Sequence, residues 1–297
     1  MTATADIATR LHRLALVLAG AIVLAVPAWS QRTYVGADTC AQCHSDEAEW
    51  LQGSVHEKAV SPQKGQENVT GCETCHGPGS EHIEDLTPAT IFTFSGEPSA
   101  ERSARCLACH SSINPELNFR RSAHDSRQVG CNECHTANGA EAFHSMRSAA
   151  SAMAKTEPEL CFSCHAEQRA DFSLPYHHPV GKGLMKCTSC HTPHGAFAPR
   201  QLNTRQTEPV CGKCHEDQQG PFIFEHPAGR ASGCQACHQP HGGTNPKMLT
   251  RFQVQFLCLE CHANTPPSHD LTKSRYQNCT VCHSRIHGSN LNRLYFR

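Results

Sequence analysis

The sequence predicts an elongated fold of mostly short α-helices and coil with little or no β-structure, and three observations predict it. The first is a shortage of core material. Apolar residues make up 38% of the 297, aromatics 6%, and the chain carries 20 glycines and 18 prolines. One large or two medium domains would be ordinary at this length, but this composition is sparse for a side-chain core. The second is the count of 20 cysteines and 22 histidines, placed at regular intervals. The third is pattern: no segment alternates apolar and polar residues as a half-buried strand does, whereas Asp46 to Val60 and the Ala-rich run Ser145 to Leu160 follow a helical one. Gly71-Cys72 and Gly130-Cys131 read as tight entries, and Gly77-Pro78-Gly79 and Pro266-Pro267 as loop punctuation.

The first 30 residues read as a secretory signal. Arg10 and Arg13 supply the positive start, Leu14 to Val26 the apolar stretch, and Ala28-Trp29-Ser30 the small-x-small cleavage site. The apolar stretch is shorter than a spanning helix requires. A lipoprotein would need cysteine at the processing site, and the first cysteine is Cys40. Export to the periplasm follows, with the outer membrane as a further destination.

Twenty cysteines in an exported chain would ordinarily suggest disulfides. Their spacing argues otherwise, because every one falls in a Cys-x-x-Cys-His unit. The first five are Cys40/Cys43/His44, Cys72/Cys75/His76, Cys106/Cys109/His110, Cys131/Cys134/His135 and Cys161/Cys164/His165. The second five are Cys187/Cys190/His191, Cys211/Cys214/His215, Cys234/Cys237/His238, Cys258/Cys261/His262 and Cys279/Cys282/His283. This is the attachment signature of c-type haem. Two thiols three positions apart lie on one side of a helical turn, where they add to the two vinyl groups of one porphyrin, and the adjoining histidine reaches the iron from one face. Zinc sites pair two such units and do not demand a histidine after each. Ten of ten with none left over selects haem, and the fold class becomes a multihaem cytochrome c whose porphyrins supply much of the core.

Outside the motifs and the signal segment there are eleven histidines: His56, His82, His124, His144, His177, His178, His194, His226, His241, His269 and His287. Ten irons need ten sixth ligands, and these are the candidates. They keep register with the motifs as an internal repeat of five dihaem units starting at Cys40, Cys106, Cys161, Cys211 and Cys258. The surplus lies in the adjacent pair His177 and His178, of which one is expected to ligate. In His191-Thr-Pro-His194 and His238-Gln-Pro-His241 the second histidine follows too closely to swing round to the opposite face of the same haem. It is expected to serve a neighbouring one.

Ten bis-histidine haems point to electron transfer and away from an enzyme, since a reductase needs an open or exchangeable iron position. Met146, Met153, Met185 and Met248 are too few to serve ten irons and read as packing residues. Low-spin, low-potential haems are therefore expected. The net charge of −1 offers no argument for nucleic-acid binding. Past the signal the chain has 24 basic and 26 acidic residues, and haem propionates would add roughly −20.

Val35-Gly36-Ala37-Asp38-Thr39, Ser54-Val55-His56, Gly71-Cys72-Glu73-Thr74-Cys75-His76-Gly77-Pro78-Gly79 and the His-x-Pro-His-Gly endings at 191–195 and 238–242 resemble the MtrA/DmsE decahaem cytochromes. The resemblance covers essentially all of the chain after the signal. It implies an extended bis-histidine wire, partly inside an outer-membrane β-barrel partner. Its donors would be periplasmic or inner-membrane cytochromes, and an extracellular multihaem cytochrome or terminal reductase would lie on the far side. It also implies two pentahaem halves, 31–180 and 181–297. A freely diffusing periplasmic carrier and, less favoured, a multihaem reductase are the alternative readings.

Overall fold

The computed structural model describes residues 32–57, 60, 71–111, 116–135, 144–145, 153–204 and 210–297. The signal segment and part of the Ser145 to Leu160 run lie outside the described residues. Contacts divide the chain into two compact units. The first comprises Met1–Ser45 and Val60–Thr93 and holds two motifs; the second comprises Asp46–Ala59 and Phe94–Arg297 and holds eight.

Short helices and coil dominate, as the composition predicts. Among the described residues the longest helix, Ser99–His110, has 12 residues and ends in the third motif. The paired strands are Phe224–Glu225 and Gly288–Ser289, antiparallel and two residues each. No helix of the described residues is long and apolar enough to cross a membrane. The helix expected over Asp46 to Val60 is shorter, Ser45–Leu51. Gly53 at φ 67° turns the chain out of it. The expected run into the fifth motif is irregular over 153–158, and helix resumes only at Glu159–Phe162, directly after Pro158. Proline has no N–H to donate and disfavours the helical conformation in the residue before it.

The buried hydrophobic residues among those described are Leu107, Phe119, Phe162 and Val180. Four such side chains do not hold together a chain of this length. Local backbone structure is supplied instead by the motifs themselves. In nine of them the histidine N–H donates to the carbonyl of the first cysteine, four residues back, at 2.9–3.0 Å. In the third the same turn lies inside the helix Ser99–His110. The predicted helical turn thus recurs at all ten.

One polar group takes over part of the core's role in the first unit. Glu73, inside the second motif, is 1% exposed. Its carboxylate accepts from the backbone N–H groups of Val35, Gly36 and Gly79 at 2.8–3.1 Å. Gly71 enters the motif at φ 60°, and a Cβ there would lie 2.6 Å from the Cβ of Ala37. Replacing Glu73 by alanine would orphan three N–H groups, at about 1 kcal/mol or more each. The expected loss is therefore about 3 kcal/mol or more. Urea denaturation of Glu73→Ala against Glu73→Gln, which keeps one acceptor oxygen, measures it.

Candidate haem-binding sites

The histidines named from sequence come together in pairs. In the first unit the ring centroids of His44 and His82 are 6.3 Å apart. In the second unit eight more pairs occur. His110 meets His56 at 6.3 Å, His135 meets His194 at 6.1 Å, His165 meets His124 at 6.3 Å and His191 meets His241 at 6.0 Å. His215 meets His178 at 6.3 Å, and His262 meets His226 at 6.2 Å. His238 meets His287 at 6.2 Å, and His283 meets His269 at 6.3 Å. Each pair joins one motif histidine to one free histidine.

That separation tests whether the residues fit an iron. A metal–imidazole bond of about 2.0 Å, with the ring centre about 1.2 Å beyond the nitrogen, places two rings bound to opposite faces of one iron with centroids about 6.3 Å apart. Nine independent pairs within 0.3 Å of that figure fit the group.

The tautomer agrees. The Nδ1 atoms of His82, His124, His178, His191, His238 and His283 lie 2.6–2.9 Å from the carbonyl oxygens of Thr87, Pro193, Pro240, Arg200, Lys247 and Leu294. A carbonyl only accepts, so Nδ1 carries the proton and the Nε2 lone pair is left for a metal. His76 makes the same contact with Phe92. Burial holds His56, His135, His194, His226, His241 and His287 below the usual histidine range, and neighbouring histidines lower most of them further. Each is therefore neutral near pH 7, the form that ligates.

The pairing follows a register. From the third motif to the ninth, odd motifs use the free histidine that follows the motif two places earlier. The fourth, sixth and eighth use the one that follows the motif two places later. The first and tenth, with no such neighbour, take His82 and His269. His194 and His241 accordingly sit opposite His135 and His191. Of the adjacent pair it is His178 that meets a motif histidine, while His177 Nδ1 contacts the Leu174 carbonyl at 2.6 Å. His76, His144 and His177 stand outside the pairs described.

Two pentapeptides carry the register. In His191-Thr-Pro193-His194-Gly195 the two histidines belong to different pairs, and the Pro193 carbonyl orients His124 of a third. His238-Gln-Pro240-His241-Gly242 repeats this with His178. The glycines permit the approach. A Cβ on Gly195 would lie 2.5 Å from the Asn118 carbonyl oxygen, and one on Gly242 would lie 2.1 Å from that of Asp171.

Sequence reasoning missed the residues that hold Nδ1. The carbonyls of Arg200 and Lys247 reach His191 and His238 because Arg200-Gln201 and Lys247-Met248 are left-handed, at φ 54–58°. Such residues cost about 1 kcal/mol or more each and persist where the surroundings over-determine them. The available signal was a repeat, Pro-Arg-Gln-Leu and Pro-Lys-Met-Leu, at one offset after the sixth and eighth motifs.

The cysteines order the motifs. The side chains of Cys40 and Cys72 lie beside one another, as do those of Cys106 and Cys131, Cys161 and Cys187, Cys211 and Cys234, and Cys258 and Cys279. Second cysteines of even motifs lie within electrostatic reach of those of the next odd motif: Cys134 of Cys164, Cys190 of Cys214, Cys237 of Cys261. From the third motif to the tenth, every motif therefore neighbours the next.

The two cysteines of a motif, equivalent in the sequence, are not placed alike. Cys43, Cys109 and Cys282, each the second of its motif, are exposed, as are Cys164, Cys214 and Cys261 and one first cysteine, Cys234. The second cysteine sits directly before the motif histidine at the end of the turn, and four buried hydrophobic residues leave little protein to lay over it. Cys43, Cys109 and Cys282 take no part in the thiol contacts above, so their reading as attachment points rests on motif spacing alone.

Comparison with known proteins agrees with this chemistry. The family model "Doubled CXXCH motif" matches residues 124–170, 177–220 and 226–267, and "Cytochrome c554 and c-prime" matches 84–136. Each doubled stretch contains both members of one pair: His124 with His165, His178 with His215, His226 with His262. In that frame His135 with His194 and His191 with His241 staple one stretch to the next. The chain is 33% identical over 198 residues to "Multiheme cytochrome MtrA" of Shewanella baltica, covering 64% of this chain and 56% of that protein. It is 31% identical over 121 residues to "C-type polyheme cytochrome OmcC" of Geobacter sulfurreducens, covering 36% of this chain and 15% of that one. The match thus spans about half the length of the first relative and a small part of the second. With doubled Cys-x-x-Cys-His motifs, haem c as the cofactor they attach and a fold of short helices and coil, the chain is a multihaem c-type cytochrome similar to the MtrA relative.

Proposed function

We propose that the exported chain carries ten haems c, each held between two histidines. As a wire it would conduct electrons between periplasmic carriers and the outside of the outer membrane, inside a β-barrel partner. The observation that carries this reading is the unbroken succession of neighbouring motifs from the third to the tenth, joined through their cysteines. Bound haem supplies a one-electron Fe(III)/Fe(II) couple. The protein's part is mechanical and electrostatic. Each cysteine pair tethers a porphyrin edge, and each histidine pair occupies both axial positions, which leaves none for a substrate. Carbonyl-anchored Nδ1 atoms keep the rings from turning, so ligation does not change as charge passes. The multihaem MtrA relative supports the electron-transfer part of this reading, and the signal-like residues 1–30 support export.

The test has two parts. Haem quantitation and intact mass of the purified chain are expected to give ten haems per chain, with a low-spin spectrum in the oxidised state. Solubilised outer membrane is expected to yield the chain in a complex with a β-barrel. A high-spin haem in the wild-type chain would sink the wire. Recovery only as a soluble periplasmic monomer would favour the diffusing carrier.

A further inference from the structure

We propose that Glu116 and Asp171 set the potentials of the fourth and sixth sites: each places a carboxylate beside the free histidine of one such site and lowers its reduction potential relative to the odd-numbered sites. The proposal rests on the bis-histidine reading above.

The geometry is clearest at His241, whose Nδ1 lies 4.0 Å from Asp171 Oδ2. The approach is built in, because Gly242 packs its backbone against the Asp171 carbonyl, where a Cβ would lie 2.1 Å from the oxygen. At the His135/His194 site the corresponding charge is Glu116. Its Oε2 is buried without a hydrogen-bond partner, and the carboxylate acts on both histidines of that pair. In both cases burial is the larger influence on the free histidine and the carboxylate opposes it; at His241 the Arg200 cation works against Asp171 and is the weaker of the two.

The two carboxylates hold one register. Each follows an odd motif and precedes that repeat's free histidine: Glu116 between His110 and His124, Asp171 between His165 and His178. Each faces the histidine that serves the next even motif. Odd sites are furnished differently. His124 and His178 anchor on the neutral carbonyls of Pro193 and Pro240. His56 and His226 are shifted by burial and by other histidines, with no carboxylate among the groups that act on them.

A carboxylate near the outer nitrogen of a ligating imidazole raises its basicity, and its negative charge favours the more positive, oxidised iron. A carbonyl dipole does so less. The fourth and sixth sites should then be harder to reduce than their odd-numbered neighbours.

The test is a spectroelectrochemical titration of the full, haem-loaded chain, followed by optical absorbance and electron paramagnetic resonance. Asp171→Asn is expected to move a single one-electron step to higher potential while the haems stay low-spin, and Asp171→Glu to restore it. Glu116→Gln should move a different single step. Glu101→Gln, which removes an exposed carboxylate from the helix Ser99–His110, should move none. Unshifted steps in Asp171→Asn, or a shift no larger than that of Glu101→Gln, would overturn the proposal. If Asp171→Asn loses a haem, the Glu116 variant decides it on the same criterion. High-spin haem in the wild type would instead overturn the bis-histidine reading beneath it.

Discussion

Replacing His194 by alanine is expected to open one iron to ligands, and that iron belongs to the fourth motif, not to the sixth motif that His194 follows. The rings of His194 and His135 are 6.1 Å apart and within 14° of parallel, while His191 has His241 opposite it. Removing the His194 side chain leaves the His135 iron one axial ligand, and an iron with a free position turns high-spin and binds small ligands. After reduction the variant should bind one carbon monoxide per chain, where the wild type binds none. Removing the fourth haem as well, with Cys131→Ala and Cys134→Ala, should abolish that binding. If carbon monoxide still binds in the triple variant, or if the open iron proves to be that of the sixth motif, the pairing register is wrong.

A single methyl group at Gly242 should damage two sites together. Its Cβ would meet the Asp171 carbonyl oxygen at 2.1 Å and the His177 Cβ at 3.3 Å, and the first of these is backbone that cannot rotate away. The two segments must therefore part. They are otherwise tied by reciprocal backbone bonds between Tyr176 and Gly243, at 2.8 and 3.2 Å, and by the contact of His178 Nδ1 with the Pro240 carbonyl at 2.6 Å. Overpacking of this kind costs about 1–3 kcal/mol, and lost backbone bonds add to it. The expected result for Gly242→Ala is a lowered urea midpoint with high-spin character at both the sixth and seventh haems, because His241 and His178 move together. Gly181→Ala is the matched control, since a Cβ there meets nothing within 4 Å. Equal midpoints for the two variants would show that the approach at Gly242 does not matter.

Both expectations depend on information of a kind the sequence carries unevenly. Cysteine spacing and motif histidines were legible because haem attachment is local covalent chemistry, complete within five residues. The exposure of Cys43, Cys109 and Cys282 was not, since it depends on what packs over each turn and not on the motif itself. The free histidines were legible as a set, by counting against ten irons, and His194 and His241 were readable as ligands of other haems because two intervening residues cannot span a porphyrin. Which histidine meets which was not legible. His135 and His194 come from segments that only tertiary packing brings together, and His177 and His178 are chemically identical neighbours until the chain direction at Leu174 and Pro240 separates them. Glu73 was quoted among the flanking residues without a role, since three backbone donors spread over 35–79 leave no pattern in the sequence.

What the amino-acid sequence determined by itself is the identity of the cofactor, the number of attachment motifs and the near absence of a side-chain core, because each follows from composition or from bonding within one turn of chain. The tertiary structure alone decided the pairing of histidines, the order of neighbouring motifs and the charges beside them. Those depend on through-space contacts between residues that in most pairs lie more than thirty positions apart, and on backbone carbonyls that every residue possesses and no motif can mark.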